Sequence, residues 1–153
     1  MAGIDFDTIA GGKLFIASAK PTVAEGTGAA AAFALLTYLE FGQITNVGSV
    51  EGREYSTSTL STIGDGQDRE KLGSFKLPNA DFEFAWTAED VGQIAAKAAM
   101  KARTVVSFKY ENQDGSLDYF TAQVSKFMKG GGTSNDAVKG NMTLLRQTDT
   151  VTV

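Results

Sequence analysis

The sequence contains neither cysteine nor histidine among its 153 residues. Without thiols there is no disulfide, no thiolate nucleophile and no Cys-ligated metal, and cysteine usage gives no clue to redox compartment. Without imidazole there is no Ser-His-Asp or Cys-His constellation, no usual zinc site and no general base of the commonest kind. Any remaining chemistry would rest on carboxylates, lysine, serine or tyrosine, so the expectation is a chain that is not an enzyme and holds no metal or cofactor. Proline is scarce as well: Pro21 and Pro78 are the only two, both beside candidate strand ends, whereas 17 glycines supply turns, a balance that favours β architecture. Basic residues form no cluster, the net charge is −4 and the isoelectric point is near 4.8, which argues against tight nucleic-acid binding. The longest apolar run, 29–36, falls far short of the ~20 residues of a membrane helix. Residues 1–10 carry Asp5 and Asp7 and no basic segment leading into an apolar run, so no signal peptide is expected and the chain is expected to be made in the cytoplasm.

What is present is ample material for a core. Hydrophobic residues make up 42% of the chain, with 10 phenylalanines, and the length suits one domain, 1–153. An arm, 1–12, carries Ile4, Phe6 and Ile9, whose spacing suits either a sticky edge strand or a frayed terminus. Residues 13–19 read as a first strand between Gly11-Gly12 and Lys20-Pro21. The small-residue stretch 22–34 admits a loop or one short helical turn. Residues 35–50 are rich in β-formers and read as one long bent strand or a strand pair, with Gly42 and Gly48 at the bends.

Segment 51–68 is almost wholly polar and holds a Gly-Asp-Gly turn signal; it is expected to project from the body as a loop or flexible hairpin, anchored by Tyr55, Leu60 and Ile63. A strand over 69–77 follows. Residues 79–87 alternate strictly, with Phe82, Phe84 and Trp86 on one face and Asp81, Glu83 and Ala85 on the other, as in a half-buried antiparallel strand. The spacing then predicts a helix over about 88–102. Thr87 is its expected N-cap, Glu89 and Asp90 sit in the first turn, and Lys97, Lys101 and Arg103 lie near the negative end. Its apolar stripe is expected at Val91, Ile94, Ala95, Ala98 and Ala102. A β-meander completes the chain: 103–111, a turn at 112–116, 117–129 and 138–148, with a short tail at 149–153. In 117–129 the pattern sets Phe120, Ala122, Val124 and Met128 inward and Tyr119, Thr121, Gln123 and Ser125 on an uninterrupted outer face. The fold class is therefore mainly β (α+β): an antiparallel β-sandwich or small barrel flanked by one helix.

Three clusters have a chemical reading and a plainer one. Asp81 and Glu83 share a strand face, but glycosidase carboxylates come from different elements at a set separation, so a solvated face is expected. Asp65, Asp68 and Glu70 lack the spacing of a calcium loop. Gly130 to Gly132 beside Lys129 joins two strands, where a phosphate-binding loop needs a strand, Gly-x-x-x-x-Gly-Lys and a helix. It reads as a mobile hairpin loop.

Across 72–147 the order of elements resembles the major tail tube proteins of long-tailed bacteriophages, and more distantly the tube subunits of contractile tails and type VI secretion systems. The likeness rests on the strand with Phe82, Phe84 and Trp86 leading through Thr87-Ala88-Glu89-Asp90 into the helix, then on Val105 to Tyr110, the Gln113-Asp114-Gly115 hairpin and Ala122-Gln123-Val124-Ser125-Lys126-Phe127. The stretch 29–34 departs from that pattern. The resemblance implies a virion structural protein that self-assembles into stacked hexameric rings. Partners would be further copies, other tail proteins at the tube ends, and DNA as transiting cargo, with no membrane. It implies inter-ring contacts from Ile4, Phe6, Ile9, Arg53, Tyr55, Leu60 and Ile63, and a lumen or partner face at Tyr119, Thr121, Gln123 and Ser125. The competing reading is a β-sandwich adhesin or carbohydrate-binding domain, whose mark would be exposed aromatics on loops.

Overall fold

The computed structural model describes residues 10–64, 66–130, 134–135 and 138–153. Along the chain these form β1 (Lys13–Ala17), α1 (Ala29–Ala34), β2 (Leu39–Phe41), β3 (Ile44–Asn46), β4 (Glu54–Ser61), β5 (Asp68–Lys76), β6 (Ala80–Ala85), α2 (Val91–Ala102), β7 (Val105–Glu111), β8 (Leu117–Lys129), β9 (Lys139–Arg146) and β10 (Val151–Thr152). The main sheet is antiparallel in the order β2-β1-β7-β8-β9-β6-β3, with β10 beside β8, and β4 and β5 form a separate two-stranded hairpin. The fold is mainly β with helices, as the alternation predicts.

Strands β2 and β3 stand at opposite ends of the sheet order yet are joined by Gly42 and Gln43 alone. One kinked stretch therefore reaches both margins and curls the sheet into a half-barrel. The kink requires a left-handed backbone at Gln43 (φ 62°), whose carbonyl accepts the N–H of Ala85 at 2.8 Å.

The concave side is filled by the alternate residues of the strands: Leu14 and Ile16, Phe82 and Phe84, Phe108, Phe120, Met142 and Leu144 are all essentially inaccessible. Each such side chain contributes about 1.5–3 kcal/mol by leaving water. Phe84 is central, meeting Phe41 edge-on at 5.0 Å and Phe127 at 5.3 Å between ring centroids. A second, smaller cluster lies on the opposite face of β8, where Ala29 and Phe33 of α1 cover Tyr119. The stretch left open as loop or helical turn is thus a short helix.

Helix α2 packs on β8, β2 and β1, but with a different face from the one its apolar pattern predicts. Gly92, Gln93, Ala96 and Ala99 are buried, while Val91 and Ile94 are 53% and 54% exposed. The reason is distance. A Cβ on Gly92 would lie 2.5 Å from the Glu40 carbonyl oxygen and from Phe41 Cα, so only the smallest residues fit where helix and sheet backbones meet. The N-cap is also Asp90, not Thr87: its carboxylate accepts Gln93 N–H at 3.0 Å, and Thr87 instead opens a preceding turn by accepting Asp90 N–H.

A β-bulge corrects β8. Val124 pairs with Leu144 and Lys126 with Thr143, which leaves Ser125 as an extra residue. Beyond it the faces exchange, so Phe127 is buried and Met128, expected inward, is 53% exposed. The tail expected at 149–153 contains β10, with Val151 opposite Tyr119 and Thr152 opposite Asp118.

Candidate assembly surface

The polar segment 51–68 supplies β4 and the turn of the hairpin, and β5 supplies its return strand. Threonines and Tyr55 favour extended backbone, and the register runs from Glu54 opposite Lys76 to Ser61 opposite Asp68, with an irregularity between Tyr55 and Thr57. Every residue of both strands is exposed. Cross-strand partners share a face, so Tyr55 and Phe75 stand with Thr57 and Leu72 on one side, and Leu60 and Arg69 with Ser58 and Lys71 on the other. Tyr55 and Phe75 meet at 5.7 Å, the Arg53 guanidinium lies 4.4 Å over the Phe75 ring, and Ser56 donates to the Ser74 carbonyl at 3.0 Å. A hollow of about 300 Å³ opens here between Glu54, Tyr55, Ser56, Ser74, Phe75 and Lys76. Ile63, at the tip, is fully exposed.

The hairpin stem is fastened to the body. Arg53 forms an ion pair with Asp149. Arg146, itself buried, donates from one terminal nitrogen to the Gly52 carbonyl at 2.9 Å and from the other to the Thr150 hydroxyl at 2.7 Å. Burial lowers the affinity of the Arg146 guanidinium for its proton, and the nearby Asp149 and Glu51 carboxylates partly restore it.

The seven residues expected as inter-ring contacts divide in two. Arg53, Tyr55, Leu60 and Ile63 all lie on the hairpin or its stem; Ile4, Phe6 and Ile9 fall outside the described residues. The face expected at Tyr119, Thr121, Gln123 and Ser125 does not form. Tyr119 is 4% exposed and stacks on Phe33 at 5.3 Å, and Thr121 is 2% exposed with its hydroxyl 3.0 Å from that of Thr148. Strand β8 is sandwiched here, because α1 and the chain after β9 cover the side that alternation alone assigns to solvent. Gln123 is half-buried and Ser125, in the bulge, is exposed, so the four share no common surface. Phe75 and Leu72, on the same face as Tyr55, were missed as site residues. Only the pairing of β5 with β4 marks them, since 69–77 reads equally well as a strand of the body.

Asp81 and Glu83 lie on the outer face of β6, where Asp81 accepts the Thr143 hydroxyl at 2.6 Å beside an open groove that includes Lys126 and Asn141. Among the described residues no three Asp or Glu side chains gather as a metal site; Asp65 lies outside them, and Asp68 accepts the Ser61 hydroxyl. Gly131 and Gly132 also fall outside the described residues. Among the described residues no helix is long and apolar enough to cross a membrane.

No family model matches the sequence, and no curated protein does. Solved structures share the fold. The SPP1 tail tube protein superposes with a TM-score of 0.63 at 16% identity, over 95% of this chain and 78% of that one. A chain from the baseplate of the anti-feeding prophage gives 0.62 at 9% identity, over 100% and 97%. One from the sheath-tube complex of the extracellular contractile injection system PVC, in its extended state, gives 0.59 at 11% identity, over 93% and 87%. The chain is folded like the tube and baseplate proteins of phage tails and contractile injection systems.

Proposed function

We propose that this chain is a non-enzymatic structural subunit of a phage tail, a single tail-tube domain over 1–153 that assembles with its own copies into stacked hexameric rings around a channel for DNA. The observation that carries the reading is the β4–β5 hairpin. A lone two-stranded hairpin is marginally stable in water, and this one is long, exposed on both faces and bears Tyr55, Leu60, Leu72 and Phe75. Its two strands pair only with each other among the described residues, leaving outer edges that invite strands of another copy. Repetition of one such contact around a symmetry axis gives a closed ring, and hairpin and arm 1–12 then serve successive rings. Other tail proteins would meet the tube ends. A chain of net charge −4 with no basic cluster suits a conduit from which DNA is not to be retained.

The adhesin reading loses support at Trp86. Although Trp86 lies in the connection just after β6, its half-buried ring packs on Phe127 at 5.7 Å with Lys97 and Lys129 beside it, so it is not held out free for a sugar. The test is negative-stain microscopy of the purified protein at high concentration. Rings or hollow filaments are expected; a persistent monodisperse monomer would sink the proposal.

A further inference from the structure

The last stretch of chain lies across the stem of the hairpin. Arg53, at the foot of β4, pairs with Asp149; the Thr150 hydroxyl donates to the Val50 carbonyl at 2.5 Å; and Arg146 spans from the Gly52 carbonyl to the Thr150 hydroxyl. The far side of the same stretch is held by the body. Thr148 bonds Thr121, β10 extends the sheet beside β8, and the Glu25 carboxylate accepts Asp149 N–H at 2.7 Å.

Arg146 makes this arrangement informative. It is a buried cation whose two hydrogen bonds go to neutral acceptors, and its Nε finds no acceptor among the described residues. Burying a guanidinium so incompletely paired is costly, and an apolar side chain would fill the space over Phe120 more cheaply. What an apolar side chain could not do is hold two separate backbone segments at once, the stem at Gly52 and the strap at Thr150.

We infer that residues 146–150 act as a strap that fixes the direction of the β4–β5 hairpin relative to the half-barrel before any second copy arrives. The strap works by preorganisation: a hairpin already aimed loses less conformational freedom on docking than one that swings about its stem. For its consequence in assembly the inference rests on the function proposed above. The device itself belongs to the single chain and is measured there.

Because the chain has no native cysteine, two labels can be placed cleanly. Spin labels at Ser58→Cys on the hairpin and Lys13→Cys on β1 report the hairpin's orientation by pulsed electron resonance, at a dilution where sedimentation gives a monomer. The wild-type strap should give one narrow distance distribution. With Asp149→Ala and Thr150→Val together, the distribution should broaden about twofold while the circular dichroism of the body is unchanged. Assembly after concentration should slow by about tenfold, equivalent to ~1.4 kcal/mol of lost preorganisation. Should the double variant fail to fold, Arg53→Gln breaks the exposed end of the strap without touching the core, and the same broadening is expected. An unchanged width in the folded variants would overturn the strap, whether or not they assemble. Broadening in a protein that never forms rings would keep the strap and remove the tube.

Discussion

The Asp90 carboxylate accepts the backbone N–H of Gly42 at 3.2 Å, across 48 positions of sequence, while the same group caps α2 through Gln93 N–H. The start of the helix is thereby fastened to the kink that joins β2 to β3, where the sheet turns back on itself. A Cβ on Gly42 would come within 2.8 Å of Asp90 Oδ1, so the glycine leaves room for the bond.

Replacing Asp90 by alanine removes two things at once. Loss of the cap costs about 1 kcal/mol, and the part-buried Gly42 amide loses its acceptor at a further cost of about 1–3 kcal/mol. The expected total is about 2–4 kcal/mol, read as a fall in the urea midpoint at constant m-value. Asp90→Asn keeps an acceptor at both amides and should lose less than half as much. Equal losses for the two variants would show that the carboxylate geometry does not link the kink to the helix.

Gly92→Ala sets helix propensity against packing. In an exposed helix the change would stabilise by about 1 kcal/mol. Here the added Cβ would meet the backbone of Glu40 and Phe41 at 2.5 Å, and backbone cannot rotate away as a side-chain tip can. Overpacking of this kind costs about 1–3 kcal/mol or more, so a net loss of stability is expected. A raised melting temperature would place the helix farther from the sheet than described.

The same contact explains what the sequence conceals. Alternation locates β6 and its inward Phe82 and Phe84, because a half-buried strand writes its two faces in polarity. The burial of α2 is written in size, which a hydrophobic count misreads by turning Val91 and Ile94 inward. The bulge at Ser125 is silent for another reason: an extra residue breaks the period of two, and nothing about a serine announces it. Tyr119 and Thr121 mislead because a strand covered on both sides still alternates in polarity. On the hairpin, the polarity of 51–68 shows that the segment leaves the body, but the apolar face Tyr55, Leu72 and Phe75 emerges only once β5 is known to pair with β4.

Three tyrosines make stability depend on alkaline pH. Tyr38 has its acidity weakened mainly by desolvation and further by Tyr119; Tyr119 is shifted the same way by desolvation, and Tyr110 by desolvation with the charge of Asp118 added. Each folded-state pKa lies above the unfolded value of about 10. Their contribution is therefore fully present below about pH 10 and is lost as pH rises through the raised native values. Tyr38→Phe should cost about 1 kcal/mol at pH 7, because the hydroxyl donates to the Phe33 carbonyl at 2.9 Å. Above pH 10 the variant should lose stability less steeply than the parent. Denaturant titrations between pH 8 and pH 11 compare the slopes; identical slopes would remove Tyr38 from the account.

Tyr55→Asp with Leu72→Asp places two charges on one exposed face of the hairpin. Neither side chain belongs to the core, so the melting temperature of the dilute protein should stay within about 2 °C, the scale of an exposed substitution. If that face docks on another copy, burying two unpaired carboxylates there would weaken each contact by several kcal/mol, and sedimentation should show no particle larger than the monomer. Assembly at the parent concentration would move the interface off this face.

Ser125 gives the sharpest contrast. Deleting one residue from a central strand normally moves every following side chain to the opposite face. At Ser125 the deletion should do the reverse, since Lys126 already follows Val124 in register and Phe127 already pairs with Met142. The shortened strand would become regular, with Phe127 still against Trp86 at the place where their rings now lie 5.7 Å apart. The cost should be about 1–3 kcal/mol, from lost local twist and the lost hydroxyl bond to the Thr143 carbonyl. Deleting Thr143 from β9 instead offers no such escape, because β9 pairs with β6 without an extra residue: either Met142 or Leu144 must leave the core, and the protein should not fold. The emission of Trp86, the single tryptophan, distinguishes the two variants directly. A native-like spectrum is expected without Ser125 and a solvent-shifted one without Thr143; the same spectrum from both would mean that the extra residue does not set the faces of β8.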